Sequence, residues 1–282
     1  MRKLLFNTIV LLLFTLAGNA QAILNNGDDD DDPYEHVSYF MYGLNYLSNN
    51  VYLGRKDSVA IPYYNPYIGY HLKNGLYAKG MASFTNTNGT HMDLATLEAG
   101  YDHSFGDHFN AGINLDKYYY NKNSRSIRAN TKGGAGINGQ YTNDWIEPQV
   151  NFDANFNKNS TDYVTNFMLD HDFKLADGTL HIIPEAAVNI GTKHYYDEYF
   201  LANFTRADKK QKIKKAVANA GKYQVADYEF SLKTTYRVSK WLFTLIPTYA
   251  IPVNPAVVTL PNRTVTEKLS NSFYVELDIC HR

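Results

Sequence analysis

The feature that most constrains the fold is a two-residue alternation of apolar and polar side chains along most of the chain. In 227–238, every second position except Thr234 holds an apolar or aromatic residue such as Tyr228 or Phe230, with polar residues between them. The segment 146–156 follows the same pattern. Because successive side chains of a β-strand point to opposite faces, each segment predicts a strand with one apolar and one polar face. No segment after residue 22 is apolar for about 18 residues, which excludes a helical membrane protein.

Twelve such strands are predicted, joined alternately by tight turns and longer loops. Ala176-Asp177-Gly178 is one of the tight-turn sequences. The predicted strands are 37–47, 62–72, 76–85, 92–105, 109–120, 130–142, 145–156, 162–175, 179–190, 226–238, 241–252 and 269–280. An even number of two-faced strands, with tight turns at one end and long loops at the other, is typical of a transmembrane β-barrel. Tilted strands of about 10–14 residues are long enough to cross a bilayer.

A soluble β-sandwich would also alternate, and it is the alternative fold. The chain contains 24 Tyr and 15 Phe, and aromatic residues such as Trp145, Trp241 and those of 118–120 fall near strand ends. Amphipathic rings at strand ends suit the two interfaces of a membrane. The predicted fold class is therefore all-β, a transmembrane antiparallel up-and-down β-barrel of twelve strands.

The termini divide the chain into three predicted regions. Residues 1–22 begin with positive charges, continue with an apolar stretch and end in an A-x-A cleavage site, which predicts a secretory signal peptide. Residues 23–36 contain five consecutive Asp and predict an extended acidic periplasmic linker. Residues 37–282 form the predicted barrel. A formal net charge of −1 offers no basic footprint for nucleic acid, and the single Cys280 excludes an internal disulfide.

The hairpin pattern resembles a known family. The run Asp170-His171-Asp172-Phe173-Lys174-Leu175, its turn and the strand that ends at Pro184 are similar to hairpins of small Gram-negative outer-membrane β-barrel proteins of the porin family. The resemblance implies a place in the outer membrane, passive diffusion of small solutes, and membrane lipid and the barrel-assembly machinery as partners. Such barrels usually end in an aromatic residue, whereas this chain ends in Cys280-His281-Arg282.

The polar face of the strands is the candidate functional surface, because charged side chains cannot face lipid at low cost. The candidate selectivity residues in the lumen are Glu98, Asp102, Asp116, Glu147, Asp153, Asp170, Asp172, Glu185, Glu229, Lys233, Arg237 and Glu276. The same two-residue alternation also places on this face Lys79, Lys132, Lys174, Asp227 and Asp278. An excess of carboxylates around a pore favours cations over anions. A lumen closed by internal ion pairs is the alternative.

Other motifs in the sequence give weaker evidence for a binding or catalytic site. The G-x-G-x-x-G run at 134–139 is followed by a turn and another strand rather than a helix, so a nucleotide site is not predicted. In Asp170-His171-Asp172 the alternation puts His171 on the face opposite both carboxylates. No cofactor or metal is predicted, although 194–198 contains a His, an Asp and a Glu.

Three functions remain in order of preference. The first is a cation-preferring diffusion channel without enzymatic activity. The second is a non-conducting structural or surface-binding barrel. Independently of this choice, the Lys-rich segment 206–218 is predicted to be either a solvated helical cap or a patch for lipid phosphates or an anionic ligand. The third is an outer-membrane lipid hydrolase, suggested only by the Ser- and Arg-rich segment 124–128. The sequence does not indicate the oligomeric state.

Overall fold

The computed structural model describes residues 37–56, 60–87, 89–124, 126–197, 219–260 and 263–282. The predicted signal peptide, the acidic linker and the Lys-rich segment 206–218 lie outside the described residues.

Twelve antiparallel strands form a closed wall. They are β1 (Tyr39–Leu47), β2 (Tyr63–His71), β3 (Leu76–Thr85), β4 (His91–Phe105), β5 (Phe109–Tyr120), β6 (Thr131–Tyr141), β7 (Glu147–Asn157), β8 (Thr161–Asp170), β9 (Leu180–Gly191), β10 (Gln224–Val238), β11 (Trp241–Pro252) and β12 (Ser272–His281). Each strand pairs with the next, and β12 also pairs with β1, which closes the sheet into a barrel. The predicted fold class and strand count are confirmed.

Some interruptions of the pairing ladders coincide with prolines. The predicted strand 162–175 stops at Asp170 and resumes as Phe173–Leu175. The register on both sides of this break places His171 opposite Pro184. Because proline has no backbone N–H, it cannot donate to the neighbouring strand at that position. The β10–β11 ladder is likewise interrupted where Pro247 lies.

The outer surface of the wall is apolar and its inner surface is polar. Among the described residues, forty large apolar side chains are exposed, including Phe230 at 51% and Leu115 at 65%. Charged residues such as Lys79 and Glu98, each only 2% exposed, lie on the inside. Folded proteins in water rarely expose large contiguous apolar surfaces. In the same part of the chain, no helix is both long and apolar enough to span a membrane.

Small elements cover the end of the barrel where the long loops lie. Val51–Tyr52 and Arg55–Lys56 pair as a separate two-stranded hairpin. A second hairpin is formed by Val257–Leu260 and Arg263–Thr266, and residues 194–197 form one helical turn. Tight turns join the strands at the opposite end, so the predicted division between a short-turn end and a long-loop end is present.

Candidate functional site

A cavity of about 270 Å³ lies inside the barrel and is lined mainly by polar side chains. Five carboxylates line it: Asp116, Asp153, Glu185, Glu229 and Glu276. Strands β5, β7, β9, β10 and β12 each contribute one of them, so acidic groups surround the cavity rather than occupying one wall. All five were among the candidate residues identified from the alternation of the sequence.

Neutral donors hold several of these carboxylates. Asn114 Nδ2 donates to Asp116 Oδ2 over 2.9 Å, Ser231 Oγ donates to Glu185 Oε2 over 2.5 Å, and Asn45 Nδ2 donates to Glu276 Oε1 over 2.6 Å. A row of amides, Asn151, Asn166 and Asn189, continues the polar lining across β7, β8 and β9. Hydrogen bonds from neutral groups fix the carboxylates in place without cancelling their charge.

A cationic group, Arg128, reaches the same cavity from the loop between β5 and β6. Its Nη2 donates to Asn155 Oδ1 over 2.8 Å, and its guanidinium lies 4.2 Å from the ring centroid of Tyr52 and 5.3 Å from that of Tyr118. The sequence pattern did not predict this contribution, since it placed Arg128 only in a loop segment. The alternation of the strands carries no information on how a loop folds back into the barrel.

The half of the barrel near the tight turns is filled with side chains. Tyr77 OH donates to Glu98 Oε1 over 2.7 Å, and a Cβ added to the neighbouring Gly100 would clash with the Tyr77 ring. The glycine therefore leaves the space that the ring occupies. Nearby, Lys79 Nζ lies 5.3 Å from the centroid of Tyr67, and Tyr67 packs with a buried apolar cluster inside the barrel.

Three other candidate carboxylates face the interior near the tight turns. Gln140 Nε2 donates to Glu147 Oε2 over 2.9 Å, and Gln149 Nε2 donates to Asp170 Oδ2 over 2.6 Å. Asp102 Oδ1 points to Gly112, where it occupies the space that a Cβ would need. None of these three carboxylates is among the residues that line the central cavity.

Asp172 makes a contact that the sequence did not suggest. Its Oδ2 lies 2.7 Å from Nδ1 of His181, a buried residue of β9. His171 instead contacts the edge of the Phe173 ring on the apolar face, which agrees with its predicted position opposite the two carboxylates. The pairing register brings Asp172 and His181 together, and the sequence alone does not give that register.

The basic candidates are distributed unevenly. Lys233 is buried and Arg237 is half-buried. Lys132 and Lys174 are both exposed, and Lys174 lies opposite the buried His181 in the pairing register. A register shift between Thr131 and Gly133 takes Lys132 out of the alternating phase, and Lys174 lies beside the tight turn after Leu175.

The long-loop end of the cavity is covered by an apolar cluster. Tyr52 and Leu53 of the first hairpin pack there with side chains from other loops and strand ends. The other members of the cluster are Ile127, Val164, Tyr195, Tyr196, Ala220, Ala226 and Ala256. Val51, Tyr52 and Leu53 also line the cavity, so they form its roof.

Two buried cations lie beside this cluster. Arg55 is 3% exposed, and its Nε lies 3.4 Å from Glu267 Oε1. Burial opposes the charged form of Arg55, but the nearby Tyr195 and Glu267 outweigh it and raise its pKa. Burial, reinforced by the charge of Arg55, lowers the pKa of Lys193 to about 8, and Lys193 Nζ donates to the carbonyl oxygen of Asn254.

The described residues of the remaining motifs make contacts of other kinds. The G-x-G-x-x-G run lies within β6 and is followed by β7. Ser124 Oγ donates to Asp93 Oδ2 over 2.8 Å, whereas an activated serine would donate to an imidazole. His194 Nδ1 lies 3.6 Å from Asp197 Oδ2, and in the described part of the chain no group of three potential metal ligands was found.

The non-aromatic C-terminus is held by aromatic contacts. His281 stacks on Tyr42 with ring centroids 5.0 Å apart and meets Trp241 edge-on at 4.9 Å. Cys280 is buried inside the barrel. His281 therefore belongs to a cluster of three rings with Tyr42 and Trp241.

No family model matches this sequence, and no curated protein matches it. Among solved structures, the chain is similar to a KdgM porin, with 9% identity and a TM-score of 0.48 over 87% of this chain and 99% of that chain. It is also similar to LpxR from Salmonella typhimurium, with 12% identity and a TM-score of 0.44 over 86% and 99% of the two chains. For OprD from Pseudomonas aeruginosa the identity is 8% and the TM-score 0.36, over 86% and 64%. The fold described above rests on the strand pairing of this chain itself.

Proposed function

We propose that this chain is an outer-membrane β-barrel through which small solutes diffuse passively, with a preference for cations. The observation that carries this proposal is the ring of five carboxylates around a cavity inside an apolar wall. The proposal assigns the chain no catalytic activity and no cofactor.

The exterior of the wall supports a place in a membrane. Aromatic and aliphatic side chains cover it, and Trp145 at a tight turn is 85% exposed. A closed barrel satisfies its backbone hydrogen bonds between strands and can therefore cross hydrocarbon. Together with the predicted signal peptide, these features favour the outer membrane of a Gram-negative bacterium, with lipid and the barrel-assembly machinery as partners.

The charge around the cavity supports the preference for cations. The summed field of several carboxylates around a narrow, low-dielectric cavity raises the local concentration of cations. Arg128 opposes this field locally, so we expect partial rather than complete selectivity. The effect should weaken at high salt, where the Debye length falls to about 3 Å at 1 M.

The proposal is tested by recording from the refolded mature chain in a planar bilayer under a salt gradient. Replacing three cavity carboxylates (Asp116→Asn, Asp153→Asn and Glu229→Gln) should shift the reversal potential toward zero or toward anions. The matched control is Asp107→Asn with Asp144→Asn and Asp177→Asn, which removes the same charge from exposed turns and should leave the potential unchanged. An equal shift in both triple variants would exclude the cavity as the selective element.

A non-conducting structural barrel is the second candidate. The observation that favours it is the filled short-turn half of the lumen, where Lys79, Glu98, Tyr67 and Tyr77 are all buried. Recordings that include a variant with an uncovered loop end decide between the two candidates, because a structural barrel that is shown to be folded would pass no current at any salt concentration even then.

A further inference from the structure

The first hairpin, residues 51–56, is built to sit over the cavity as a compact unit. Its two-residue turn consists of Leu53 and Gly54 with φ of 49° and 69°, the left-handed conformation that a tight type I′ hairpin requires. Its pairing is internal, Val51 with Lys56 and Tyr52 with Arg55, and it forms a sheet separate from the wall. The wall and the hairpin therefore share no ladder of backbone hydrogen bonds.

Arg55 is the polar latch that holds this hairpin down. Its Nη1 donates to the carbonyl oxygens of Leu53 and Ala226, and its Nη2 to those of Val253 and Asn254, over 2.8 to 3.3 Å. Its Nε forms the ion pair with Glu267. One guanidinium thus fastens the hairpin to the ends of β10 and β11 and to the loop before β12.

Close contact at Gly54 shows how tightly the hairpin meets the wall. An ideal Cβ on Gly54 would lie 2.8 Å from Cβ of Asp227 and 2.9 Å from Cβ of Pro252. Any larger residue would push the hairpin away from β10 and β11. The fit explains why the turn uses glycine where both the backbone angle and the space demand it.

The base of the hairpin is held by two hydrogen bonds rather than by a continuous strand ladder. Asn50 N donates to Ile61 O over 3.0 Å, and Ile61 N donates to Asn49 Oδ1 over 3.0 Å. Rotation of the hairpin about this base would move it away from the cavity without breaking any pairing between strands of the wall. Such a motion would instead break the hydrogen bonds of Arg55 and separate Tyr52 and Leu53 from their apolar neighbours.

We propose that the hairpin 51–56 is a plug that closes the long-loop end of the lumen, and that release of the Arg55 latch opens the cavity to that side. This inference rests on the proposed diffusion function and adds its regulation. The roof residues Val51, Tyr52 and Leu53 are the part that must move. Arg55 acts as a positioning residue that holds them in place.

The test compares Arg55→Met with Lys56→Met. Both remove one positive charge from the same hairpin, but Lys56 is exposed and makes only a 3.4 Å contact with the carbonyl oxygen of Asn271. A hydrogen-bonded buried charge contributes enough that its loss should raise the open fraction about tenfold or more. Lys56→Met should leave the open fraction unchanged. If Arg55→Met does not fold, replacement of 51–56 by a Gly-Ser segment of equal length removes the plug and leaves the wall intact.

Two measurements test the plug proposal and the diffusion proposal separately. The first is current, and the second is the rate at which a membrane-impermeant maleimide labels Ser231→Cys in a Cys280→Ser background, since Ser231 lines the cavity. The plug is supported if labelling accelerates in the Arg55→Met or linker variant and not in Lys56→Met. Labelling that accelerates without any current would refute the diffusion function and leave the plug standing. Labelling as fast in the parent protein as in the variants would overturn the plug.

Discussion

Buried carboxylates hold together the elements at the long-loop end of the barrel, and Asp162 is the clearest example. It accepts hydrogen bonds from Asn157 Nδ2, from Thr192 Oγ1 and from the backbone nitrogens of His194 and Tyr195, over 2.6 to 2.8 Å. It is 1% exposed. One carboxylate therefore ties β7 and β8 to the start of the helical turn at 194–197 and satisfies donors that such a turn leaves free.

Asp162→Asn is predicted to lower the free energy of unfolding by about 2 kcal/mol, because the amide keeps the shape but presents a donor to groups that already donate. Urea unfolding in detergent or lipid, followed by the mobility of the folded barrel on a gel, measures the change. Asp107→Asn in an exposed turn is the matched control and should have no effect. A loss of less than about 0.5 kcal/mol at Asp162 would contradict this role.

The two faces of the wall differ sharply between neighbouring residues. Phe230 points outward from β10, and Ser231 points to the cavity and donates to Glu185. We predict that Phe230→Arg destabilises the barrel by about 2–4 kcal/mol in lipid. Ser231→Arg should cost much less, since carboxylates surround it. Refolding into bilayers of both variants measures the difference, and equal losses would mean that the outer face does not contact lipid.

At the scale of the elements, local sequence predicts where strands lie, and prolines mark some of the positions where their ladders break. Strand ends match the alternation to within three residues apart from the early end of β8. That exception arises from Pro184 on the neighbouring strand, which the alternation within 162–175 does not reveal. Pairing register is a property of two strands, so a pattern within one strand cannot supply it.

The turn Ala176-Asp177-Gly178 offers a prediction at the same scale. All three residues have positive φ, 51°, 54° and 76°, which costs non-glycine residues energy. Ala176→Gly should therefore stabilise the barrel by up to about 1 kcal/mol. Ala187→Gly within β9, where the backbone is extended, should instead destabilise it by about 0.5–1 kcal/mol. Unfolding of both variants in urea gives the sign of each change.

For the whole molecule, the sequence predicts the barrel and most of the acidic lining but not the covering of its mouth. Alternation reports only which face of a strand a side chain occupies, and it placed Asp116, Asp153 and Glu276 correctly in the interior. The plug depends on how loop residues such as Arg55 and Arg128 fold back over the strands. Those conformations follow from contacts between distant loops, such as Arg55 with Glu267, that no local pattern encodes.

The alternation of short and long connections predicts which end of the barrel faces outward. A peptide tag inserted between the strands Val257–Leu260 and Arg263–Thr266 should be accessible to antibody on intact cells. A tag at Asp177 should become accessible only after the outer membrane is permeabilised. Labelling of the Asp177 tag on intact cells would reverse the orientation of the barrel in the membrane.

Pairing of the first strand with the last sets the order in which the wall can be completed. Tyr42 lies opposite His281 and Leu47 opposite Glu276. The first and last strands of the chain must therefore meet before the sheet closes and loses its two free edges. Until the final strand docks, β1 and the growing end both present unsatisfied backbone groups, which are templates for pairing with other chains. Contacts between such distant residues also form slowly. On the proposed export to the outer membrane, the yield of this barrel in the cell should therefore depend on chaperones that shield its unpaired strands until the final strand arrives.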